Sequence, residues 1–104
     1  MIVIEKNQGP KVSHELQGNI LTFREGELSL DLSKYERDFP VHIDVCSNEY
    51  DMLTIGPSRK YVTEIDILAR EYDEEETGDA ENPVTLIPRP FDASKVQLTL
   101  WAIV

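Results

Sequence analysis

The chain has 104 residues, of which 40% are hydrophobic, and its 20 acidic and 10 basic side chains give a formal net charge of −10. This length predicts one domain over residues 1–104, with a core that needs no disulfide or metal for stability. The excess of negative charge repels phosphate backbones and anionic lipid surfaces, so neither nucleic acid nor a membrane is expected as a partner.

Turn residues recur at short intervals along the chain, which favours many short strands over helices. In the first half, alternation of apolar and polar residues predicts strands at 2–5, 19–24, 27–32, 41–46 and 52–55. The second and third of these flank a tight turn and predict a hairpin with one apolar face.

The segment 61–72 is ambiguous, because its apolar spacing fits a helix face and a strand face equally well. The distribution of charge distinguishes the helix from the strand. A helix here would begin at Arg59 and Lys60 and end in acidic residues from Glu71 onward, which is unfavourable for the helix dipole. We therefore predict a strand, with a bulge near 68–69 where the alternation slips.

The last third of the chain begins with residues 73–83, which are acidic and poor in apolar groups and predict a solvated loop. A strand at 84–87 follows, and a final strand is expected over 95–104, where no charged side chain follows Lys95. Left on an exposed edge, such a strand would pair with another copy. We therefore expect the fold to place it centrally, cover it or use it for association.

About eight antiparallel strands, each with one apolar face, predict an all-β fold. An antiparallel β-sandwich is the favoured architecture, and a partly open β-barrel is the alternative.

The cellular location is inferred from cysteine usage and from the start of the chain. Cys46 is the single cysteine, so no internal disulfide forms and a reducing compartment is indicated. The segment 1–5 has no basic region and is too short to be a signal peptide, and no apolar run is long enough to span a bilayer. We expect a cytoplasmic protein.

His42, Asp44 and Cys46 alternate on one predicted strand and point to the same side. At about 3.3 Å per residue, His42 and Cys46 lie roughly 13 Å apart along the strand, too far for a base and its nucleophile. Two of the three, with help from a neighbouring strand, can bind one metal ion. The simpler interpretation is the polar face of a half-buried strand.

The acidic segment 73–82 contains the oxygen ligands and the glycine that a calcium loop uses. Its spacing differs from that of an EF-hand, because the twelfth position counted from Asp73 is Val84 rather than a glutamate. An irregular calcium site is one hypothesis for this segment, and a solvated loop is the other. The ligands of such a site would be Asp73, Glu75, Asp79 and Glu81.

Candidate contacts for a ligand or a partner are Trp101, Tyr61, Tyr72 and Arg89. Aromatic rings stack on sugars and concentrate binding energy at protein interfaces. The simpler roles are core packing for Trp101 and a salt bridge to the acidic surface for Arg89.

Several common catalytic and cofactor motifs are missing, among them a glycine-rich phosphate loop, a nucleophile elbow and Cys-x-x-Cys. Neither an enzyme nor a cofactor is therefore expected. The main hypothesis is a non-enzymatic structural or interaction module that forms a homo-oligomer or joins a larger protein assembly, such as a phage-like particle. The alternatives are a small carbohydrate-binding module that uses surface aromatics and a domain stabilised by calcium.

Overall fold

The structure is a computed structural model that describes residues 1–103, and it contains ten β-strands in sheets of five, three and two strands. The strands are β1 Ile2–Glu5, β2 His14–Gln17, β3 Ile20–Phe23, β4 Leu28–Asp31, β5 Val41–Ser47, β6 Leu53–Ile55, β7 Lys60–Ile67, β8 Tyr72–Glu76, β9 Val84–Pro88 and β10 Gln97–Leu100. Short 3₁₀ turns occur at Arg24–Gly26, Leu32–Tyr35 and Ala93–Lys95. The all-β prediction is confirmed. Within the described residues no helix is long and apolar enough to cross a bilayer.

The five-stranded sheet has the order β1-β10-β7-β5-β6. Its inner ladders are antiparallel, but β1 runs parallel to β10, with Val3 opposite Leu98. The expectation of a wholly antiparallel fold is therefore wrong at this pair. Parallel neighbours need a long connection, and here the intervening strands β2 to β9 supply it.

The three-stranded sheet is a meander of β2, β3 and β4, and its inward side chains share one core with those of the five-stranded sheet. Eight strands in two packed layers therefore form a β-sandwich, and no closed barrel forms within residues 1–103. The buried residues that join the layers include Leu21, Phe23, Leu30, Leu32, Val45, Ile65 and Leu98.

The ambiguous segment forms strand β7, as the charge argument predicts. The irregularity lies at Val62 rather than at 68–69, because Val45 pairs with Thr63 while Cys46 pairs with Tyr61. This bulge turns two consecutive residues inward, since Val62 and Thr63 are both buried. The Thr63 hydroxyl is satisfied there by donating to the Thr99 carbonyl at 2.7 Å.

The final strand is shorter than expected, because β10 ends at Leu100 and Val104 lies outside the described residues. The backbone N–H of Trp101 donates to the Val62 carbonyl at 3.0 Å, and that of Ile103 donates to the Pro10 carbonyl at 2.9 Å. Strand β10 lies between β1 and β7, so the uncharged segment is placed centrally, which was one of its three expected outcomes.

Strands β8 and β9 form a separate hairpin, so the acidic segment predicted to be a loop is a strand as far as Glu76. Pairing with the apolar strand β9 gives this polar segment its extended form. The hairpin, residues 72–88, is called the arm below. Every residue in its two strands is exposed. The molecule measures 61 × 23 × 22 Å and its radius of gyration is 17.4 Å, against about 13 Å for a compact domain of this length.

Candidate functional site

The arm carries exposed apolar side chains on one strand and carboxylates on the other. On one face, Leu86 lies opposite Glu74 and Val84 lies opposite Glu76. Leu86 is 59% exposed and Val84 is 44% exposed. The arm therefore presents a face that is half apolar and half acidic.

The outer edge of β9 is unpaired, because the arm sheet has only two strands. The N–H of Arg89 donates to the Glu71 carbonyl and that of Thr77 donates to the Pro83 carbonyl, so these residue pairs bond across the ladder. Bonded and non-bonded pairs alternate in an antiparallel ladder, so Val84 and Leu86 belong to non-bonded pairs. Their backbone N–H and C=O groups therefore point away from β8. The free edge thus combines unpaired backbone groups with uncharged side chains.

Ion pairs hold the root of the arm, where residues 71–73 and 88–89 join it to the sandwich. Arg89 lies 2.8 Å from Asp73 and 3.2 Å from Glu71, and Lys95 lies 2.8 Å from Glu71. The hydrogen bond to Asp73 raises the pKa of Arg89, and the hydrogen bond from Lys95 lowers the pKa of Glu71. Arg89 therefore has the salt-bridge role that the sequence offered as its simpler explanation.

A second set of contacts joins the arm to the segment after β4. Arg70 lies 3.3 Å from Glu36 and 3.1 Å from Asp38, and the Tyr72 hydroxyl donates to Asp38 at 2.5 Å. Tyr72, Glu36 and Asp38 surround the Arg70 guanidinium and raise its pKa. These contacts orient the root of the arm on the sandwich.

A groove of about 340 Å³ lies where the arm meets the sandwich. Its apolar lining includes Leu68 and Phe91, and its cations are Arg89 and Lys95. Both cations are already paired with carboxylates, so the groove offers little unpaired positive charge to an anionic ligand.

Two of the predicted contact residues lie apart from the arm. Tyr61 and Trp101 stack with ring centroids 5.6 Å apart, at the end of β7 opposite the arm root. The Lys6 ammonium lies 5.6 Å from the centre of the indole ring, and the indole Nε1 donates to Glu64. The Trp101 ring is thus engaged by its own protein, whereas Tyr72 lies at the arm root.

The four predicted calcium ligands lie along the arm rather than at one point. Asp73 and Glu75 are on β8, and Asp73 is paired with Arg89. Asp79 and Glu81 follow in the tip, where Asp79 accepts a hydrogen bond from the Glu81 backbone at 2.9 Å. The calcium site stays a prediction, and the structure supplies no convergence of these carboxylates.

A polar cluster on β5 and β7 brings His42 together with three carboxylates. His42 Nδ1 lies 2.6 Å from Asp66, and Nε2 lies 2.8 Å from Asp44 and 3.6 Å from Glu64. The hydrogen bond to Asp66 is the main cause that raises the pKa of His42. Cys46 is fully buried and takes no part in the cluster, which supports the conclusion that it is not the nucleophile of a triad.

Sequence reasoning found His42 and Asp44 but missed Glu64 and Asp66. The register of β5 and β7 places Asp44 opposite Glu64 and His42 opposite Asp66. The available signal was the alternation of acidic residues on β7, which has meaning only once β5 is known to be its neighbour.

Comparisons of the chain with family models, curated proteins and solved structures found no match. The arm and the His42 cluster are the features from which a function is inferred.

Proposed function

We propose that this protein is a non-enzymatic, cytoplasmic assembly module, and that its arm docks on a second copy of the same chain. The arm carries this proposal: both of its strands are exposed, and one of them is an uncharged edge. The uncharged strand β10, which suggested self-association from the sequence, does not support it, because β10 is buried within its sheet.

An isolated two-stranded hairpin is marginally stable in water, since it buries little apolar surface. Strand β8 protects its own edge with carboxylates at Asp73 and at Glu74, Glu75 and Glu76. Strand β9 has no charged side chain, and charge is a usual means by which edge strands avoid pairing. A partner that covers β9 would stabilise the arm, with backbone hydrogen bonds along the edge.

Charge favours a docking surface at the other end of the same molecule. The arm has no basic residue, and its acidic side chains are Asp73, Glu74, Glu75, Glu76, Asp79 and Glu81. At the far end of β7, Arg59 and Lys60 are exposed and make no ion pair with another described residue. Two carboxylates, Glu49 and Asp51, line the same surface, and Asp51 is already paired with Arg24. Tyr50 and Met52, which are 75% and 57% exposed, precede β6 near this end.

An arm of one copy on the Arg59 end of the next is a head-to-tail contact. Such contacts join different surfaces, so they close into rings or extend into filaments. Opposite charges guide the encounter, and the exposed apolar side chains of both surfaces are removed from water. Copies of the chain would therefore assemble in one direction.

The proposal is tested by sedimentation velocity over a concentration series at low and at moderate salt. We expect concentration-dependent association that weakens as salt rises, because part of the contact is ionic. Leu86→Lys should weaken association at least about tenfold, because a charge enters an apolar contact. Thr85→Lys is the matched control, since it adds the same charge on the other face of β9 and should have a smaller effect.

A second experiment reverses the charge at the proposed docking surface. Arg59→Glu combined with Lys60→Glu should also reduce association, and mixing this variant with Leu86→Lys should restore only dimers, since one intact contact remains. A strict monomer at high concentration would overturn self-association. Association that Leu86→Lys leaves unchanged would remove the arm from the contact.

The carbohydrate and calcium alternatives stay predictions without a supporting observation. A sugar-binding platform needs a free aromatic face, and the indole of Trp101 is already engaged by Tyr61, Lys6 and Glu64.

A further inference from the structure

We propose that His42, Asp44 and Glu64 bind a divalent transition metal ion such as Zn²⁺ on the outer face of the five-stranded sheet. Within residues 1–103 these three form a group whose ligand atoms all lie within 4.8 Å of one another. The site is separate from the arm, so it does not depend on the assembly proposal.

The distances between ligand atoms suit a small cation. Zinc bonds of about 2.0 to 2.2 Å in tetrahedral geometry separate neighbouring ligand atoms by about 3.4 Å. His42 Nε2 lies 2.8 Å from the Asp44 oxygen and 3.6 Å from the Glu64 oxygen, so these separations bracket the required value. Small side-chain rotations would open the space for an ion.

The ligands are oriented by groups outside the set. Asp66 lies 2.6 Å from His42 Nδ1 and accepts its proton in a hydrogen bond, while Nε2 lies beside the two ligand carboxylates and would release its own proton when a metal ion binds. The second oxygen of Glu64 accepts a 2.7 Å hydrogen bond from the indole of Trp101. The contact between His42 and Asp66 is typical of metal sites, because a metal-ligating histidine almost always donates its other ring N–H to a carboxylate, a carbonyl or water.

The backbone frame is fixed before any ion arrives. Asp44 lies opposite Glu64 in the central ladder of β5 and β7, and His42 lies two residues from Asp44 on the same strand face. Ligands on paired strands are held more precisely than ligands on loops. The site therefore requires no change in the backbone.

Charge also favours a cation at this position. Asp44, Glu64 and Asp66 surround one imidazole, so the group keeps a charge of about −2 even with a protonated ring. One imidazole nitrogen with two carboxylate oxygens favours zinc, nickel or cobalt over calcium, which prefers oxygen ligands alone. The His42 side chain is 47% exposed, which leaves an open position for water or another ligand.

The experiment is isothermal titration calorimetry of the EDTA-treated, dialysed chain with Zn²⁺, repeated on the Leu86→Lys variant, in which association contributes less heat. We expect one Zn²⁺ per chain. His42→Gln should weaken binding at least about 100-fold, because it removes the nitrogen ligand, and Glu64→Gln should weaken it by less. His14→Gln is the matched control, since it removes the other histidine, and should bind as the unaltered chain does.

A second readout uses Trp101, the single tryptophan, whose indole is bonded to a ligand residue. Co²⁺ or Ni²⁺ should quench its fluorescence with the same stoichiometry, and His42→Gln should abolish the effect. Asp66→Asn should weaken binding by about 10 to 100-fold without abolishing it, as expected for a residue that orients a ligand. Absence of stoichiometric Zn²⁺ binding, or equal binding by His42→Gln, would overturn the site, whatever the outcome for the arm.

Discussion

Trp101 and Glu64 are joined by a hydrogen bond of 2.7 Å from the indole Nε1 to Oε2, which ties the chain after β10 to strand β7. The ladder of β10 ends one residue earlier, at Leu100. The side chain of Trp101 thus extends the attachment beyond the last strand. The stacked ring of Tyr61 adds a second contact on the same strand.

Replacing Trp101 by Phe keeps an aromatic ring but removes the donor to Glu64. We expect the free energy of unfolding to fall by about 1.5 to 3 kcal/mol, the usual contribution of a hydrogen bond to a charged group. Urea denaturation followed by circular dichroism measures it. Tyr61→Phe keeps the stacking and the hydrogen bond and should change the stability much less, and an equal loss in both variants would contradict this account.

The centre of the sandwich and the arm should respond very differently to truncation. Leu98→Ala leaves a cavity at a fully buried position and should cost about 2 to 5 kcal/mol of unfolding free energy. Leu86→Ala removes the same atoms from a side chain that is 59% exposed and should cost less than about 0.5 kcal/mol in dilute solution. Equal costs would mean that the arm packs against the sandwich.

Arg89 should control the order of the arm rather than the stability of the fold. Arg89→Gln removes both ion pairs at the root, to Asp73 and to Glu71, in an exposed setting. We expect an almost unchanged unfolding midpoint and lower NMR order parameters for residues 72–88. High salt should have the same effect on the unaltered chain, and unchanged order parameters would show that the ion pairs do not hold the arm.

His42 should give the metal-free protein a measurable pH dependence. The pKa of His42 is raised in the folded state by Asp66 on β7 and by Asp44 on the same strand as the ring, β5. The protonated ring therefore stabilises the fold below its unfolded pKa of about 6.5, and this contribution is lost as pH rises through the folded value. Glu64 also faces the ring at 3.6 Å.

This pH dependence is measured as the difference in unfolding free energy between the unaltered chain and His42→Gln, in EDTA, from about pH 6 to pH 9. The advantage of the unaltered chain should shrink as pH rises. A difference that grows over this range would have the wrong sign for a raised pKa.

Local patterns in the sequence predicted much of the strand content. The charge argument that rejected a helix at 61–72 was correct, because the cost of placing Arg59 and Lys60 at a helix N-terminus is a local property. The expected sandwich also follows from one apolar face per strand. These predictions needed no knowledge of which strands are neighbours.

The errors occur where the structure depends on neighbours. Strand β8 is polar throughout, so only its pairing with β9 makes it extended. The bulge at Val62 depends on the register with β5, and the parallel pairing of β1 with β10 joins the two ends of the described sequence. The His42 cluster was half predicted for the same reason, since Glu64 and Asp66 come from another strand.

The position of β10 between β1 and β7 has a consequence for how the chain is made. Residues 2–5 are synthesised well before residues 97–100, so the first strand has no neighbour to pair with until β10 has been made. Until then Ile65 on β7 lacks the partner Leu98 that lies opposite it in the finished sheet. Pairing over such sequence separation is slow, so the nascent protein exposes an incomplete sheet to other chains for longer than a simple meander would.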